Sequence, residues 1–216
     1  MSSHEDLQRV CKSGIVAVVR SSSSEQLVEV ARALADGGVT TIEITMTVPG
    51  VLDVLRDVRT ALGDEILLGA GTVLDVESAR AALLAGAEYI VAPTVDLEVI
   101  RLCRRYDKMV MPGAFTPTEI LAAWQAGADV VKVFPADVGG PAYLKAIHGP
   151  MPQIRLMPTG GVDLNTAADF LRAGACCLGV GGSLVEKKAL EEGNIGRIRS
   201  LAEQFVKIVK DVRDKP

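Results

Sequence analysis

The chain has 216 residues, of which 49% are hydrophobic and only 4% aromatic, and its formal net charge is -4. The length suits two small domains or one α/β barrel, and the absence of a Pro/Ser-rich or charged linker favours a single domain over residues 1–216. The acidic balance offers no basic groove for nucleic acid and no polybasic surface for an anionic membrane, so we expect neither partner.

The N-terminal segment MSSHEDLQRVCKSG is polar, and the chain contains no run of about 18 apolar residues. We therefore expect a cytoplasmic protein that is neither exported nor membrane-spanning. The four cysteines have no CxxC spacing, which is typical of reduced thiols; they are Cys11, Cys103, Cys176 and Cys177. Cys176 and Cys177 are neighbours on a predicted strand, so their side chains are expected on opposite faces.

A pattern that recurs four times predicts the architecture. In each copy a helix-like stretch ends at glycine, as at a left-handed helix C-terminus, and an apolar strand follows at once. The copies are LADGGVTTIEI, LLAGAEYIVA, WQAGADVVKV and LRAGACCLGV, with strands that begin near Thr41, Tyr89, Asp129 and Cys176. Their spacing is about twice the ~25 to 30 residues of one strand-plus-helix unit, so a further strand is predicted before each copy. These further strands are IVAVVR, LLGAGTV, MVMPGAF and IRLMPTGG, which makes eight.

Helix-start signals precede six amphipathic stretches between these strands. The signals are Ser24-Glu25, Pro49, Asp75, Asp96, Thr116-Pro117 and Asp163. A short N-terminal helix from Glu5 to Cys11 is expected to cover the barrel bottom, and Ile195 to Val212 is predicted as a C-terminal helix. Because strands and helices alternate strictly, the strands should be parallel, and eight of them favour a closed (β/α)8 TIM barrel of the α/β class over a doubly wound sheet.

Lys132 lies in the stretch DVVKVFPA, which is otherwise typical of a buried strand. Alternation puts Lys132 and Phe134 on one face of this strand and Val131 and Val133 on the other, so both faces are expected to be covered. A buried ammonium avoids its desolvation cost by losing a proton, and the neutral amine is a nucleophile suited to Schiff-base chemistry. The alternative is a lysine that snorkels to the surface or forms a salt bridge.

The stretch TTIEITMT turns Glu43 toward the barrel interior, because Ile42 and Ile44 alternate with it and face the helices. Glu43 is thus predicted as a second ionisable group inside the barrel, suited to general acid–base catalysis. A buried salt bridge from Glu43 to Lys132 or Arg20 would require the same position, so this alternative stays open.

Other notable residues are predicted at the C-terminal ends of strands, where the active sites of such barrels form. Arg20 ends the first strand, Thr72 the third, Pro93-Thr94 the fourth and Phe134-Pro135 the sixth. Glycine-rich turns follow the seventh and eighth strands, as Pro158-Thr159-Gly160-Gly161 and Gly179-Val180-Gly181-Gly182-Ser183. Glycine lets backbone N–H groups approach an anion, so two such turns at these strands favour a phosphate site over simple tight turns.

Metal-dependent chemistry is disfavoured because the chain has few suitable ligands. His4 and His148 are the only histidines, and no acidic residues accompany them with ligand spacing. A Ser-His-acid triad lacks a suitable histidine for the same reason, and no GxGxxG or P-loop motif indicates a nucleotide. We therefore expect a site without metal or cofactor. A lysine, a glutamate, an arginine and a threonine that converge on one barrel mouth favour the binding of an anionic carbonyl compound there.

The ordered motifs EITMT, GAGTV, VAPT, MPGAFTPTE, VKVFPA, PTGGV and GVGGS together resemble the bacterial 2-keto-3-deoxy-6-phosphogluconate aldolase / 4-hydroxy-2-oxoglutarate aldolase family, from about Ile15 to about Ser183. The resemblance implies a metal-free class I aldolase of the Entner-Doudoroff pathway that assembles as a homotrimer of barrels. It also implies that Lys132 forms the Schiff base and that Glu43 is the general acid/base.

Binding roles follow from the same resemblance. Thr72 would hold the carboxylate of the pyruvyl portion, and Pro93 and Phe134 would wall the pocket. The residues that would face the distal phosphate or lie among its contacts are Arg20, Thr159, Gly160, Gly161, Gly181, Gly182 and Ser183. Many members have an arginine four residues after the catalytic glutamate, where this chain has Thr47, so its contacts with the substrate carboxylate are expected to differ.

The resulting expectation is cleavage of 2-keto-3-deoxy-6-phosphogluconate to pyruvate and glyceraldehyde 3-phosphate. One alternative changes the substrate to 4-hydroxy-2-oxoglutarate, which gives pyruvate and glyoxylate. Two others are an isomerase or epimerase that works by proton transfer, and a non-catalytic trimeric barrel that binds phosphosugars. A covalent imine distinguishes the aldolases from these two, and a scaffold has no reason to bury both Lys132 and Glu43.

Overall fold

A computed structural model describes residues 2–214 of the chain. Its strands are β1 (Ile15–Val19), β2 (Thr41–Thr45), β3 (Leu67–Gly71), β4 (Tyr89–Val91), β5 (Met109–Met111), β6 (Gly113–Ala114), β7 (Val131–Val133), β8 (Leu156–Pro158) and β9 (Leu178–Val180). Its helices are α1 (Ser3–Ser13), α2 (Leu27–Asp36), α3 (Val51–Leu62), α4 (Val76–Leu84), α5 (Leu97–Arg105), α6 (Pro117–Gln125), α7 (Gly140–His148), α8 (Ala167–Arg172), α9 (Lys187–Glu191) and α10 (Ile195–Arg213). Met1 and residues 215–216 of the predicted domain lie outside the described residues.

The strands form a closed parallel barrel, which confirms the predicted (β/α)8 fold. One sheet has the order β5-β4-β3-β2-β1-β9, and a second has the order β6-β7-β8. Isolated bridges from Leu156 to Ala175 and from Thr159 to Gly179 connect β8 to the segment of β9 and close the circle. The barrel therefore brings the C-terminal ends of all its strands to one mouth.

The fifth barrel strand is split into two pieces, which the sequence pattern did not predict. β5 pairs with β4, β6 pairs with β7, and only Pro112 separates the two pieces. Proline has no N–H to donate to a strand ladder, which accounts for the interruption. The Pro112 carbonyl still accepts a hydrogen bond from the Lys132 N–H at 2.9 Å, so the barrel wall stays continuous beside Lys132.

Two apolar cores lie on opposite sides of the barrel wall. The outer core packs strands against helices and includes Ile42, Ile44, Val131 and Val133. The inner core fills the lower barrel, and its buried members are Leu7, Val10, Val16, Leu67, Tyr89, Val91, Met109, Met111, Val130, Met157 and Cys177. Leu7 and Val10 belong to α1, which confirms that the N-terminal helix covers the bottom. The inward face predicted for β2 and β7 is likewise confirmed.

Several boundary signals are confirmed. Asp75, Asp96 and Thr116 cap α4, α5 and α6 by accepting backbone N–H groups at the start of each helix. The glycine of each repeated pattern has a positive φ, which residues with a Cβ rarely adopt. These angles are 89° at Gly38, 109° at Gly86, 103° at Gly127 and 105° at Gly174.

The stretches predicted as helices after Ser24-Glu25 and Pro49 do begin helices, α2 at Leu27 and α3 at Val51. Neither signal caps its helix, because each helix follows a left-handed residue without a side-chain cap. Asp163 accepts the N–H of Thr166 in a turn before α8 instead of capping the helix. The helices α7 and α9 were not predicted, since α7 begins at Gly140-Pro141, a pair typical of loops, and α9 has five residues.

The expectation for Cys176 and Cys177 is also wrong. Their Sγ atoms lie 3.8 Å apart, so the two thiols share one side of the chain. Both residues precede β9, which begins at Leu178, and the alternation of an extended strand does not apply to them. All four cysteines are free thiols. Within residues 2–214, no helix combines the length and apolar character needed to cross a bilayer.

Candidate active site

Lys132 is the central residue of β7 and is only 2% exposed. Its Nζ lies 5.1 Å from the centre of the Phe134 ring, in the barrel interior. Burial lowers the pKa of Lys132, the nearby Glu43 opposes this shift, and the positive charge of Arg20 adds to it. A snorkelling lysine would expose its amine, so the burial of Lys132 contradicts that alternative and favours a neutral amine.

Glu43, in the middle of β2, is fully buried. A Cβ atom on Gly71 of β3 would overlap the Glu43 carboxyl group, so this glycine makes the room that the carboxyl group occupies. Neither carboxyl oxygen accepts a hydrogen bond from any of the described residues. Burial raises the pKa of Glu43, while the charges of Lys132 and then Arg20 act in the opposite direction.

The salt bridge from Glu43 to Lys132 or Arg20, which is the structural alternative to a catalytic role, does not form within the described residues. Among residues 2–214, no ion pair within 4.0 Å joins Glu43 to Lys132 or Arg20. A buried amine and a buried carboxyl group that both shift toward their neutral forms are suited to a nucleophile and a proton-transfer group.

A cavity of about 130 Å³ opens beside this pair at the ends of β1, β7, β8 and β9. Its lining residues are Val18, Arg20, Phe134, Thr159, Gly160, Gly161, Val162, Gly179, Gly181, Gly182 and Ser183. Eight of these had been predicted as individual site residues and Gly179 as part of the second glycine-rich turn, whereas Val18 and Val162 had not been predicted. Arg20 provides the cavity with a positive charge, and the glycine turns expose backbone at its wall, so the cavity is suited to an anion.

Two glycine features shape this cavity. Gly160 and Gly161 have φ values of 96° and 67°, which require glycine in the turn after β8. A Cβ on Gly179 would overlap the Thr159 hydroxyl, which is buried and has no hydrogen-bond partner among the described residues. Both glycine-rich segments therefore need glycine to let the Thr159 hydroxyl and the backbone of the turn after β8 line the same wall of the cavity.

Thr72 and Pro93 lie at the ends of β3 and β4, outside the lining of that cavity. Thr72 has a φ of 57°, an unfavourable conformation for a β-branched residue that tends to occur at functional sites. Pro93 packs closely on β6, because a Cβ on Gly113 would overlap the Pro93 backbone. Sequence alternation gave no sign of this strained backbone at Thr72.

Thr47 is exposed, and its hydroxyl lies 2.8 Å from that of Thr45. Thr45 is fully buried at the end of β2, two residues beyond Glu43. Thr45 was not predicted as a site residue, although alternation places it on the same inward face as Glu43. The pair offers hydroxyl groups at the mouth of the barrel.

No group of three or more His, Cys, Asp or Glu side chains within residues 2–214 is arranged to hold a metal ion. The site as described consists of an amine, a carboxyl group, hydroxyl groups, one guanidinium and glycine-rich backbone.

Comparisons with known proteins match this chemistry. Residues 7–201 match the family described as KDPG and KHG aldolase. The chain is 36% identical over 207 residues to the 2-dehydro-3-deoxy-phosphogluconate aldolase of Treponema pallidum, covering 95% of this chain and 96% of that protein. It is 32% identical over 206 residues to the 2-dehydro-3-deoxy-6-phosphogalactonate aldolase of Escherichia coli, covering 95% and 98%.

A solved structure agrees with the fold. The KDPG aldolase of Legionella pneumophila, with pyruvate captured as a covalent carbinolamine intermediate, superposes with a TM-score of 0.83 at 27% identity, covering 91% of this chain and 96% of that one. The chain therefore belongs to the KDPG and KHG aldolase family and is an aldolase, a carbon–carbon lyase.

Proposed function

We propose that this aldolase cleaves 2-keto-3-deoxy-6-phosphogluconate to pyruvate and glyceraldehyde 3-phosphate through a Schiff base on Lys132. The supporting observation is an amine that is 2% exposed and lies near a fully buried carboxyl group without hydrogen-bond partners. Relatives named as aldolases for this substrate, and a related structure with pyruvate bound covalently, support the same reaction.

In the first half of this reaction, the neutral Lys132 amine attacks the C2 ketone of the substrate. The resulting carbinolamine takes up one proton from solvent and loses water, which gives a protonated imine. This imine accepts the electron pair of the C3–C4 bond as that bond breaks. Glu43, in its ionised form, removes the proton of the C4 hydroxyl, and the aldehyde leaves. Burial favours the neutral amine of Lys132, whose pKa it lowers, and raises the pKa of the Glu43 carboxyl group, which therefore takes up a proton more readily than an exposed glutamate.

In the second half, the bound pyruvate enamine takes a proton at C3. Glu43 now holds the proton from the C4 hydroxyl and returns it, directly or through water. Water then adds to the imine, and hydrolysis releases pyruvate and restores the neutral Lys132. Each step is reversible, so the aldol addition of pyruvate to the aldehyde is also expected.

The remaining residues are proposed to hold the two ends of the substrate. Thr72 and the hydroxyl pair of Thr45 and Thr47 contact the carboxylate, and Pro93 and Phe134 wall the imine. The phosphate occupies the cavity of about 130 Å³, where Arg20 supplies positive charge. The phosphate contacts come from Thr159, Gly160, Gly161, Gly181, Gly182 and Ser183.

Borohydride trapping tests the imine. Folded protein is incubated with pyruvate and borohydride and analysed by intact-mass and peptide mass spectrometry. We expect one reduced pyruvate adduct on the peptide that contains Lys132, and none in Lys132→Met. An unmodified Lys132 in folded protein would favour a proton-transfer enzyme or a phosphosugar-binding barrel.

A substrate comparison tests the phosphate requirement. We expect a higher kcat/KM for 2-keto-3-deoxy-6-phosphogluconate than for 4-hydroxy-2-oxoglutarate, because the second substrate has no phosphate to occupy the cavity. Equal values would favour the alternative substrate. The same assay with the galactonate epimer reports the preference at C4, where the Escherichia coli relative named above acts on the phosphogalactonate.

We also propose a homotrimer. Several large apolar side chains are exposed on the monomer, among them Leu74 at 57%, Leu97 at 44% and Val138 at 70%, and these follow β3, β4 and β7 at the mouth side of the barrel. Sedimentation equilibrium should give three times the 22.8 kDa chain mass. A monomer at assay concentrations would contradict this assembly.

The proposed location is the cytoplasm, because all four cysteines are free thiols, as reducing compartments favour. Fractionation of the source cells with an activity assay would test it, and activity in the extracellular fraction would contradict it.

A further inference from the structure

Tyr89 has a hydroxyl group that packing does not explain. The residue is the first of β4, it is fully buried in the inner core, and its hydroxyl has no hydrogen-bond partner among the described residues. An unpaired buried hydroxyl destabilises a fold, whereas phenylalanine would fill the same space without that cost. The hydroxyl therefore carries a cost in stability that phenylalanine would avoid.

The sheet register places Tyr89 in the same layer as Glu43. Gly69 of β3 pairs with Glu43 on one side and with Tyr89 on the other. Residues in register on neighbouring parallel strands point to the same side of the sheet, so both side chains project into the barrel. Only the width of one strand separates them.

Two glycines on β3 leave the space between these side chains free. A Cβ on Gly69 would overlap the outer end of the Tyr89 ring, and a Cβ on Gly71 would overlap the Glu43 carboxyl group. The phenol thus extends across β3 toward β2, and the carboxyl group lies over the same strand, one inward-facing residue nearer the mouth. The two groups form no direct hydrogen bond.

The charges around the pair give the phenol one available role. The charges that act on Glu43 are those of Lys132 and Arg20, and the groups that act on Tyr89 are Glu43, Cys177 and Glu88. Burial, followed by the charge of Glu43, raises the pKa of the Tyr89 phenol well above its ordinary value. Tyr89 therefore stays protonated throughout the working pH range and offers Glu43 a hydrogen-bond donor.

We propose that Tyr89 is a positioning residue that acts through Glu43, an inference that rests on the proposed acid–base role of Glu43. Its hydroxyl donates toward the carboxylate, through one intervening water or after a small side-chain rotation, and stabilises the ionised form that accepts the substrate proton. Tyr89 touches neither the imine nor the leaving aldehyde, so substrate binding does not depend on it.

This role predicts a change in pH dependence. Without the hydroxyl, the carboxylate loses a donor, the pKa of Glu43 rises, and the base becomes available only at higher pH. We expect the acid limb of the kcat profile in Tyr89→Phe to move up by about one pH unit, and kcat below the optimum to fall about 10-fold. The KM should change less than about twofold.

The experiment compares Tyr89→Phe with Tyr106→Phe, in which a tyrosine 42% exposed at the end of α5 loses the same atom. The pH dependence of kcat and KM and the thermal midpoint are measured for both variants and for Glu43→Gln. A shifted acid limb in Tyr89→Phe alone supports the proposal, and below pH 4.5, where Glu43 holds its proton, the thermal midpoint of this variant should be equal or higher. In the double variant with Glu43→Gln, the second substitution should add no further loss.

Two outcomes overturn the proposal. One is a Tyr89→Phe profile identical to that of Tyr106→Phe. The other is a lower thermal midpoint below pH 4.5, where Glu43 holds its proton, because the hydroxyl would then support the fold independently of the carboxylate. The Glu43→Gln variant distinguishes a failure of the role of Tyr89 from a failure of the role of Glu43. If Glu43→Gln is slow while Tyr89→Phe is normal, only the role of Tyr89 fails, whereas a fully active Glu43→Gln removes the proposed function of Glu43 itself.

Discussion

Two regions of the barrel bury carboxyl groups in different ways. At the bottom, Glu88 accepts from Arg59 at 3.0 Å, and Asp129 accepts from Arg104 at 2.9 Å and from the Val110 N–H at 2.8 Å. Both precede strands and are held by an arginine of a neighbouring helix. In the interior near the mouth, neither carboxyl oxygen of Glu43 has a hydrogen-bond partner among residues 2–214, and Lys132 forms no ion pair within 4.0 Å with any of them.

The difference separates charges that the fold holds in pairs from the two groups that are proposed to act in catalysis. Breaking a buried pair is costly, so a partner fixes a charge in one state, whereas an unpartnered group is free to change its protonation and bond to substrate. Active sites commonly retain such groups at the expense of stability. Asp6 of α1 falls between the two classes, since it is buried and one of its oxygens has no partner among the described residues, and nothing in the structure explains it.

The largest expected effect comes from Lys132→Met. Loss of the nucleophile should reduce kcat by at least about 10⁴-fold. The free energy of unfolding should stay equal or rise by up to about 2 kcal/mol, because a buried amine without a partner is replaced by an apolar chain of similar length. Steady-state kinetics and thermal unfolding measure the two quantities.

Lys145→Met, on the exposed side of α7, is the matched control and should leave both quantities unchanged. A marked loss of stability in Lys132→Met would mean that Lys132 supports the fold, as Glu88 and Asp129 do. The contrast between the two regions of the barrel would then be wrong.

Glu43→Gln should have the second largest effect. Loss of the acid/base should reduce kcat by about 10² to 10⁴-fold, while slow trapping of pyruvate by borohydride persists because Lys132 remains. The variant should be at least as stable as the parent at neutral pH. Trapping lost together with turnover would mean that Glu43 serves imine formation instead of the proton transfer at C4.

Glu88→Gln is the counterpart at the barrel bottom. It weakens the bonds to Arg59 and to the Leu68 N–H, so the free energy of unfolding should fall by about 1 to 2 kcal/mol, and the partial exposure of Arg59 limits the loss. The kcat should be unchanged. Chemical unfolding and kinetics test this, and a large loss of kcat without a loss of stability would reverse the two assignments.

Much of the fold followed from the sequence because local patterns determine it. Alternation in TTIEITMT and DVVKVFPA predicted which side chains face inward, and Asp75 and Thr116 marked helix starts by their capping chemistry. The division of the fifth barrel strand at Pro112 was not predicted. A proline inside an apolar run does not show which neighbouring strand loses a backbone hydrogen bond. Helix α7 was missed because Gly140-Pro141 is more typical of a loop.

The site was less predictable for a physical reason. Alternation brings Lys132 and Glu43 to one interior, yet whether they form an ion pair depends on the space over Gly71 and on side-chain direction, which arise only in the closed barrel. Tyr89 was not recognised because an aromatic residue in a strand is usually core, and its missing hydrogen bond becomes visible only with its neighbours in place.

A series of measurements at different pH values tests the contrast between paired and unpartnered carboxyl groups without a mutation. The pKa of Glu43 is raised from 4.5, so kcat/KM should fall with decreasing pH along a limb that lies above pH 4.5. Stability should depend on pH in the opposite direction to activity. The folded state holds the Glu43 proton more tightly than the unfolded state does, so Glu43 does not lower the free energy of unfolding below pH 4.5. As pH rises through the raised pKa, Glu43 lowers this free energy increasingly. The stability gain of Glu43→Gln should therefore be present at neutral pH and disappear below pH 4.5, and a gain independent of pH would contradict this account.

The smallest expected effect concerns the anion cavity. Ser183→Ala removes one hydroxyl donor from its wall, so the KM for the phosphorylated substrate should rise about 3- to 10-fold with little change in kcat, because a phosphate contact that stays the same in the ground and transition states affects binding alone. The KM for 4-hydroxy-2-oxoglutarate should not change, since that substrate leaves the cavity empty of phosphate. Ser200→Ala, on the exposed side of α10, should alter neither value. If Ser183→Ala raised the KM for both substrates equally, the cavity would bind the reacting end of the substrate. The proposed separation between the catalytic pair of Lys132 and Glu43 and a distal anion site would then be wrong.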